Sequence, residues 1–326
     1  MSDSTLTMTV IIPSYHRPEN LRHCLEALAR GRRLPQETLV VLHEEDEASQ
    51  TALLGLSEIA EKVNLRTILV AQAGQVLQMN AGLAEARGDV VCFTDDDCLP
   101  HEDWLERLAA PYADPEVSGV GGRDVVYHEG VRSERAGRVV GRISGCGRLL
   151  GSHHEVFPPG LREVQHLKGA NMSFRRSRMV PLDPRLVLGP GDSPMNDTDL
   201  SLSVGEGGGR LLYDPEAQVD HHPAPRHGIT HRDPSRPEQA YIDGHNWAYL
   251  ICKHFPAWRR AVFMAYALLV GSSNRLGLVK FLVTALRGPR VAGRQYLATC
   301  RGLRAGVRDW RGAQAELRTE AQGGPR

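Results

Sequence analysis

The sequence predicts an α/β protein in which a mixed, mainly parallel sheet is flanked by helices and followed by a helical C-terminal extension. Short apolar runs, such as residues 8–13 and 39–42, alternate with segments whose apolar residues recur at helical spacing. Strands that are apolar along their whole length are typical of parallel sheets with helices on both faces. Beyond Pro237 the apolar residues follow helical spacing, which predicts the extension.

The alternation of strand and helix repeats along the first part of the chain. Strands are predicted at residues 8–13, 39–42, 67–70 and 90–93, and helices at about 21–28, 50–62 and 76–87. Ligands of such sheets bind at the carboxyl ends of the strands, so the residues that follow each strand are candidates for a functional site.

The middle of the chain has a different composition. Residues 117–175 are rich in glycine and in residues that favour strands, which predicts an antiparallel or mixed addition to the sheet. A short helix is predicted at 199–206, a strand at 210–213 and a histidine-rich turn at 220–223. No internal repeat is present.

Charge and cysteine content exclude several classes of protein. Lys+Arg and Asp+Glu balance at 39 each, which argues against a nucleic-acid-binding protein. The six cysteines form no CxxC pair and no zinc spacing, so a disulfide framework is not indicated and a reducing compartment is favoured. The first nine residues do not resemble a signal peptide. We therefore expect a cytoplasmic protein.

Three adjacent carboxylates, Asp95, Asp96 and Asp97, come directly after the strand predicted at 90–93. Like charges at this spacing repel one another and raise one another's pKa, so a divalent cation such as Mg²⁺ or Mn²⁺ is their natural partner. Such a cation is often completed by substrate phosphates. The alternative is a solvated acidic turn before the next helix.

Three segments taken together resemble glycosyltransferase family 2. They are VIIPSYHRP at residues 10–18, NAGLAEARGD at 80–89 and FTDDD at 93–97, and the likeness extends over about 8–225. The resemblance implies a GT-A (Rossmann-like) fold. It also implies an enzyme that moves a sugar from a nucleotide-diphosphate donor to a hydroxyl acceptor with inversion, using Mn²⁺ or Mg²⁺. The acceptor would be a saccharide or a lipid-linked saccharide in surface polysaccharide or glycoconjugate synthesis.

The same resemblance assigns roles to individual residues. Asp97 and His221 would hold the metal, and Asp95 the ribose side of the nucleotide, with Asp96 sharing either task. The remaining contacts to the nucleotide sugar would come from the following residues: Pro13, Ser14, Tyr15, Glu44, Asp46, Gln78, Asn80, Lys168, Gly169 and Asn171. Residues 43–46 depart from the paired Asp-Asp-Gly-Ser of many members, so an acidic surface loop is the alternative there. For Gln78, the alternative to a donor contact is a position on a solvated helix face.

Inverting transfer requires a base that deprotonates the acceptor hydroxyl, and a carboxylate is the usual group. Residues 195–200, MNDTDL, resemble the Glu-Asp-x-Asp-Leu segment of the family, with Asn196 in place of the first acid. Asp197 is the expected base, and Asp199 is the substitute. A helix N-cap is the structural alternative for Asp197.

Two other functions remain open at this point. A sugar nucleotidyltransferase also uses a metal and an α/β sheet, but it requires a glycine-rich phosphate loop after the first strand, where this chain has Pro-Ser-Tyr-His-Arg. A non-catalytic protein that binds nucleotide sugars is the second alternative, and the altered loop at 43–46 and Asn196 favour it.

The chain is divided into a GT-A catalytic domain at 1–230, a helical region at 231–300 and a basic tail at 301–326, which we expect to be disordered. Residues 287–326 contain nine arginines and three acids. The apolar segment at 261–271 is too short to span a bilayer. Because Arg259 and Arg260 precede it, the helical region could lie on an anionic membrane surface at the inner face of the cell membrane. Packing on the catalytic domain or a dimer contact is the alternative.

Overall fold

The strands form one large mixed sheet and a small separate hairpin. The computed structural model describes residues 6–72, 74–128, 130–132, 134–186, 194–224, 236–272, 276–286 and 288–322. In chain order the strands are β1 (Met8–Pro13), β2 (Glu37–His43), β3 (Leu65–Val70), β4 (Val90–Phe93), β5 (Cys98–Pro100), β6 (Val117–His128), β7 (Val131–Arg132), β8 (Arg142–Ile143), β9 (Leu149–Leu150), β10 (Arg162–Val164), β11 (Met172–Arg175) and β12 (Arg210–His221).

The helices cover both faces of the sheet and form the C-terminal region. They are α1 (Pro18–Ala29), α2 (Glu47–Leu54), α3 (Ser57–Lys62), α4 (Gln75–Glu85), α5 (Trp104–Ala109), α6 (Asn196–Glu206), α7 (Pro237–His254), α8 (Ala257–Leu269), α9 (Leu278–Ala285) and α10 (Pro289–Gln322). The prediction of an α/β protein with a mixed sheet, flanking helices and a helical C-terminal region is confirmed.

The order of strands in the large sheet is β10-β12-β6-β11-β4-β1-β2-β3. β1, β2, β3 and β4 pair in parallel, as their apolar sequences predict. β11 is antiparallel to both β4 and β6, so it joins the parallel half to the glycine-rich half. β5 pairs with β12 outside this order.

The strands are buried on both faces because each face packs against helices. Leu21 and Leu25 of α1 pack on one face with Trp104 of α5. Val76 of α4 and Leu200 of α6 pack on the other. This explains why β2 is buried along its whole length. A third apolar cluster lies in the C-terminal helices.

Two predicted elements have different bounds in the structure. The helix predicted at 50–62 is two helices, because α2 ends at Leu54 and α3 begins at Ser57. The strand predicted at 210–213 is the first part of β12, which continues past an irregularity between Asp214 and Gln218 to His221. A bulge lets a strand continue through residues that interrupt the alternating pattern.

The prediction of a disordered tail at 301–326 differs from the structure, in which α10 continues to Gln322. Residues 323–326 lie outside the described residues. The glycines that suggested disorder lie where α10 contacts α7. A Cβ on Gly302 would lie 2.2 Å from the Tyr241 carbonyl oxygen, and one on Gly306 would lie 2.2 Å from that of His245. These glycines therefore permit close helix packing. Within the described ranges, no helix combines the length and apolar character needed to cross a bilayer.

Candidate donor and metal site

The acidic cluster lies at the carboxyl end of β4, in the middle of the sheet. β4 pairs in parallel with β1, and the Thr94 amide still donates to the Ile11 carbonyl at 3.3 Å. The chain leaves the sheet after this contact. Asp95, Asp96 and Asp97 consequently lie beside the turn that follows β1, at the edge where sheets of this kind bind ligands.

Asp96 is part of the protein framework. It is buried, one oxygen accepts a hydrogen bond from the Ser14 hydroxyl at 2.7 Å, and the other accepts one from Arg17 at 2.9 Å. Burial raises the pKa of Asp96 to about 6 against the opposing effect of Arg17. Both oxygens of Asp96 hold the turn after β1 against the cluster, and its contact with the donor stays a prediction.

Asp95, Asp97, Cys98 and His221 each place one potential ligand atom within 4.8 Å of the others. The continuation of β12 brings this about, since His221 lies opposite Cys98 in the pairing with β5. Burial raises the pKa of the Cys98 thiol well above its usual range, so the neutral thiol is a poor ligand. Two carboxylates and an imidazole remain as donors.

His221 is oriented by Asp124. Its Nδ1 lies 2.8 Å from an Asp124 oxygen, and its Nε2 lies 3.4 Å from Asp97. Burial lowers the pKa of His221, but the hydrogen bonds with Asp124 and Asp97 outweigh it and raise the pKa to about 10. His222 instead stacks on Tyr127. Asp124 was not predicted from the sequence. The signal that could have identified it is a carboxylate inside a glycine-rich strand.

The donor set fits a divalent cation. Carboxylate oxygens suit Mg²⁺ and Mn²⁺, and imidazole nitrogen is an accepted ligand of Mn²⁺. Burial and the charge of Asp97 raise the pKa of Asp95 to about 6, which is the crowding that a cation would relieve. A carboxylate that holds the other nitrogen of a ligating histidine, as Asp124 does here, is a common feature of metal sites. The second oxygen of Asp97 accepts the Ala224 amide at 2.9 Å.

The start of α6 is connected to the acidic cluster through Gln75. The Gln75 amide nitrogen lies 3.2 Å from an Asp95 oxygen, and its oxygen lies 3.4 Å from the Asn196 nitrogen. Asn196 is the residue that replaces an acid of the family segment, and its amide serves in this bridge. Asp197, the next residue, is therefore held near the cluster.

Asp197 is partly exposed in the first turn of α6. One oxygen accepts the Gly169 amide at 3.1 Å, and the other accepts the Thr198 amide at 2.7 Å. The N-cap position is occupied by Met195, in a left-handed conformation at φ 75°. The alternative role of Asp197 as the N-cap residue is therefore wrong.

Asp199, the substitute base, is buried against α7. Its two oxygens bond Lys253 Nζ at 2.8 Å and His254 Nε2 at 2.7 Å. Lys253 also bonds Asp183 at 3.0 Å. Burial disfavours the charge of Lys253, but its two carboxylate partners outweigh this and raise its pKa. Asp199 is thus a structural anchor, and the prediction of it as a substitute base is wrong.

Lys168 and Asn171 flank the turn that contains Gly169, but they differ in role. Asn171 is fully buried; its amide donates to the Arg123 and Ala217 carbonyls, and its oxygen accepts the Trp104 indole N–H at 2.8 Å. All of these bonds are internal, and the contact of Asn171 with the sugar stays a prediction. The positive charge of Lys168 counteracts the rise that burial causes in the pKa of Asp95, as expected of a cation beside the cluster.

Two further predicted contacts are used inside the protein. Gln78 is buried and donates to the carbonyls of Ser14 and Val41 at 2.7 and 2.8 Å. Asn80 exchanges two hydrogen bonds with the backbone of Leu182. Both side chains of α4 thus bond backbone atoms of other segments, and their contact with the donor stays a prediction.

β1 ends at Pro13, and the turn after it is formed by Ser14 and Tyr15. Ser14 is buried, and its hydroxyl and both backbone polar groups are hydrogen-bonded within the protein. The contact of Ser14 with the donor stays a prediction. Tyr15 is half-buried, with its ring centre 5.9 Å from that of His43. Pro13 and Tyr15 remain the candidates for the nucleotide base.

Glu44 and Asp46 follow β2 but differ in exposure. Asp46 is fully buried, accepts the Ser49 amide as the N-cap of α2, and accepts the His16 amide at 2.7 Å. Asp46 thus supports the turn at His16, whose φ is 52°, and its contact with the base stays a prediction. Glu44 is exposed at the same edge and remains a candidate.

Comparisons with known proteins agree with this geometry. Glycosyltransferase AglE of Haloferax volcanii is 34% identical over 131 residues, which cover 37% of this chain and 40% of that protein. Succinoglycan biosynthesis protein ExoM of Rhizobium meliloti is 27% identical over 229 residues, 69% of each chain. A crystal structure of GalNAc-T7 with UDP, GalNAc and Mn²⁺ superposes with a TM-score of 0.62 at 15% identity, over 82% of this chain and 51% of that one.

The structural likeness shows the fold, and the family is given by the sequence. The family model of glycosyl transferase family 2 matches residues 9–178, more than half of the chain. This range contains the turn after β1, the acidic cluster and the strand from which Asp124 supports His221. The chain therefore belongs to glycosyl transferase family 2 and is a glycosyltransferase with the GT-A fold.

Proposed function

We propose that this glycosyltransferase moves a sugar from a nucleotide-diphosphate donor to a hydroxyl of a saccharide or lipid-linked saccharide, with inversion at the anomeric carbon. The observation that carries the proposal is the convergence of Asp95, Asp97 and His221 on one point, with Asp197 held nearby through Gln75 and Asn196. The bound UDP and Mn²⁺ of GalNAc-T7 support a nucleotide donor and a divalent metal.

In this reaction Asp197 takes the proton of the acceptor hydroxyl while the hydroxyl oxygen attacks the anomeric carbon. The bond to the nucleotide diphosphate breaks on the opposite face, and the diphosphate leaves with the electron pair. The Gly169 amide, which bonds Asp197 at 3.1 Å, orients the carboxylate. A cation held by Asp95, Asp97 and His221 would neutralise the charge that develops on the diphosphate.

The nucleotide base would lie at the turn after β1, against the half-buried ring of Tyr15 and beside Pro13. Glu44 is exposed at the adjacent strand end and would accept a hydrogen bond from the base. The name of ExoM refers to succinoglycan biosynthesis, which supports a role in polysaccharide or glycoconjugate assembly. All six cysteines are free, which agrees with a cytoplasmic enzyme.

Substitution Asp197→Asn tests the role of the base. We expect kcat to fall by about 10²- to 10⁴-fold, because the amide cannot accept the proton, while the Kd of the nucleotide-sugar donor stays within about twofold. Transfer is measured after a panel of nucleotide sugars has been screened with Mn²⁺ by thermal shift. The matched control is Asp103→Asn, a partly buried carboxylate at the N-terminus of α5.

Unchanged kcat in Asp197→Asn would remove Asp197 as the base. If the wild-type chain binds a nucleotide sugar but transfers it to no acceptor in the panel, the result favours the alternative of a non-catalytic binding protein.

A further inference from the structure

The C-terminal helices expose an apolar face that the rest of the described chain does not cover. On α9, five residues at positions i, i+1, i+4, i+5 and i+8 are exposed, which places them on one side of the helix. They are Leu278, Val279, Leu282, Val283 and Leu286, and none of the residues of α9 is buried. We call these five residues the α9 face.

The opposite side of α9 is fixed to the protein, so the orientation of the α9 face is set. Phe281 stacks on Tyr296 of α10, with ring centres 5.2 Å apart. A stripe on the neighbouring α8 adds exposed apolar area, with Trp258, Val262 and Leu269 at positions i, i+4 and i+11. Apolar residues that are clustered on one side mark a binding surface more often than scattered ones.

The sequence segment that contains α8, α9 and the first part of α10 carries side-chain charge of one sign. From residue 244 to residue 308 the chain contains no aspartate or glutamate and eleven lysines and arginines. Arg290 and Arg294, at the start of α10, are exposed, and within the described ranges neither forms an ion pair. An apolar face on a segment that carries cations and no acids complements a surface that is negatively charged and has an apolar interior.

We propose that the α9 face and the surrounding arginines dock this enzyme on the surface of an anionic phospholipid bilayer. Leu282 and Val283 enter the boundary between headgroups and acyl chains, while Arg290 and Arg294 contact the lipid phosphates. A face for a second copy of the chain would not require a segment of 65 residues without acids. The proposal does not depend on which sugar or acceptor the enzyme uses.

Vesicle co-sedimentation of the full chain tests the proposal. We expect binding to vesicles of phosphatidylcholine with phosphatidylglycerol, weaker binding to phosphatidylcholine alone, and weaker binding at high salt. The double variant Leu282→Asp, Val283→Asp should lose affinity by on the order of 100-fold, because two inserted side chains become charged. Its control is Leu54→Asp, a more exposed leucine on α2 that should leave binding unchanged.

A second pair of variants separates charge from apolar insertion. Arg290→Glu with Arg294→Glu should weaken binding to the anionic vesicles by at least about tenfold, whereas Lys62→Glu on α3 should not. Circular dichroism melting of every variant checks folding. Equal binding of the Leu282, Val283 variant and the Leu54 control overturns the proposal. The proposal is also overturned if the wild type does not bind vesicles and instead forms a dimer in sedimentation velocity that the variant abolishes.

Discussion

Three adjacent aspartates in this glycosyltransferase have different environments, and these environments determine what each can do. Asp96 gives both oxygens to Ser14 and Arg17. Asp95 and Asp97 converge with His221. Adjacent residues in an irregular segment project in different directions, so a run of carboxylates need not act as one unit. We therefore propose that the metal site uses two members of the run, while the third holds the neighbouring turn.

At the residue scale, the first prediction concerns Asp124. Replacing it with Asn should reduce the affinity for Mn²⁺ by about 10- to 100-fold, because the charged acceptor that fixes His221 Nδ1 is lost. Titration calorimetry with Mn²⁺ alone measures this. Asp214→Asn, another buried aspartate of the sheet, is the control and should not change the affinity. An unchanged affinity in Asp124→Asn would show that the hydrogen bond does not orient a ligand.

A second prediction concerns the stability of the metal-free enzyme. Burial raises the pKa of Asp95 to about 6. The stability that protonated Asp95 contributes is fully present below its unfolded pKa, near 4, and is lost as the pH rises through about 6. Asp95→Asn, which cannot ionise, should therefore melt on the order of 1 to 3 °C above wild type at pH 7.5 in a chelator, and at the same temperature near pH 4.

The sign of this effect should reverse when metal is added. Mn²⁺ should raise the Tm of the wild type and have little effect on the Tm of Asp95→Asn. The Tm of both proteins is measured at pH 7.5 and near pH 4, each time once with chelator and once with Mn²⁺. A variant that is less stable than wild type in chelator at pH 7.5 would contradict the assignment of Asp95 as a carboxylate under strain.

Residue types and their order predicted part of this site, and the reason for the limit is physical. Asp97 follows β4, and His221 is the last residue of β12. Both strands end at the same edge, so sheet geometry places the two residues together. Asp46, Gln78 and Asn171 lie at the same edge but bond backbone atoms that are distant in the sequence. A loop needs buried polar anchors as much as a ligand does, and the two uses leave the same residue types.

At the element scale, α6 has two sides with separate functions. Asp197 faces the Gly169 turn, and Asp199 bonds Lys253 and His254 of α7. The fold class followed from the apolar runs of β1 to β4. The course of β12 beyond Tyr213 could not be predicted from the sequence, because the irregular pairing between residues 214 and 218 depends on contacts with β6.

The contact between α7 and α10 gives a prediction with an internal control. A Cβ on Gly306 would lie 2.2 Å from the His245 carbonyl oxygen, whereas one on Gly312 of the same helix meets nothing within 4 Å. We expect Gly306→Ala to lower the free energy of unfolding by about 1 to 3 kcal/mol and Gly312→Ala to raise it by up to about 1 kcal/mol. Chemical denaturation measures both values. Equal effects would mean that α10 is not packed closely on α7.

At the scale of the whole molecule, the C-terminal helices are bonded to the chain that precedes them. Lys253 of α7 pairs with the buried Asp199, and Asn246 of α7 donates to the carbonyls of Leu186 and Pro194. The expected division at residue 230 marks a change of element type. We propose that it does not mark an independently folding domain.

A chain that ends at residue 236 should therefore lack cooperative unfolding, because removing the partners of a buried charge costs about 3 to 5 kcal/mol and the apolar cluster around Trp247 is lost as well. Near-UV circular dichroism and thermal melting test this. The control ends at Gln322 and should melt with the full chain. A sharp transition in the shorter chain would show that the sheet domain folds alone.

The pairing of Asp199 with Lys253 and His254 also restricts how members of this family can be recombined. Lys253 and His254 of α7 bond carboxylates at three positions of the preceding chain: Asp183, Asp199 and Glu206. A chimera that exchanges the C-terminal helices between relatives must exchange these positions as well, or it leaves the buried Asp199 without its partners. Because Asp199 lies two residues from Asp197, a mismatched graft would disturb the proposed base without altering any of the proposed donor contacts.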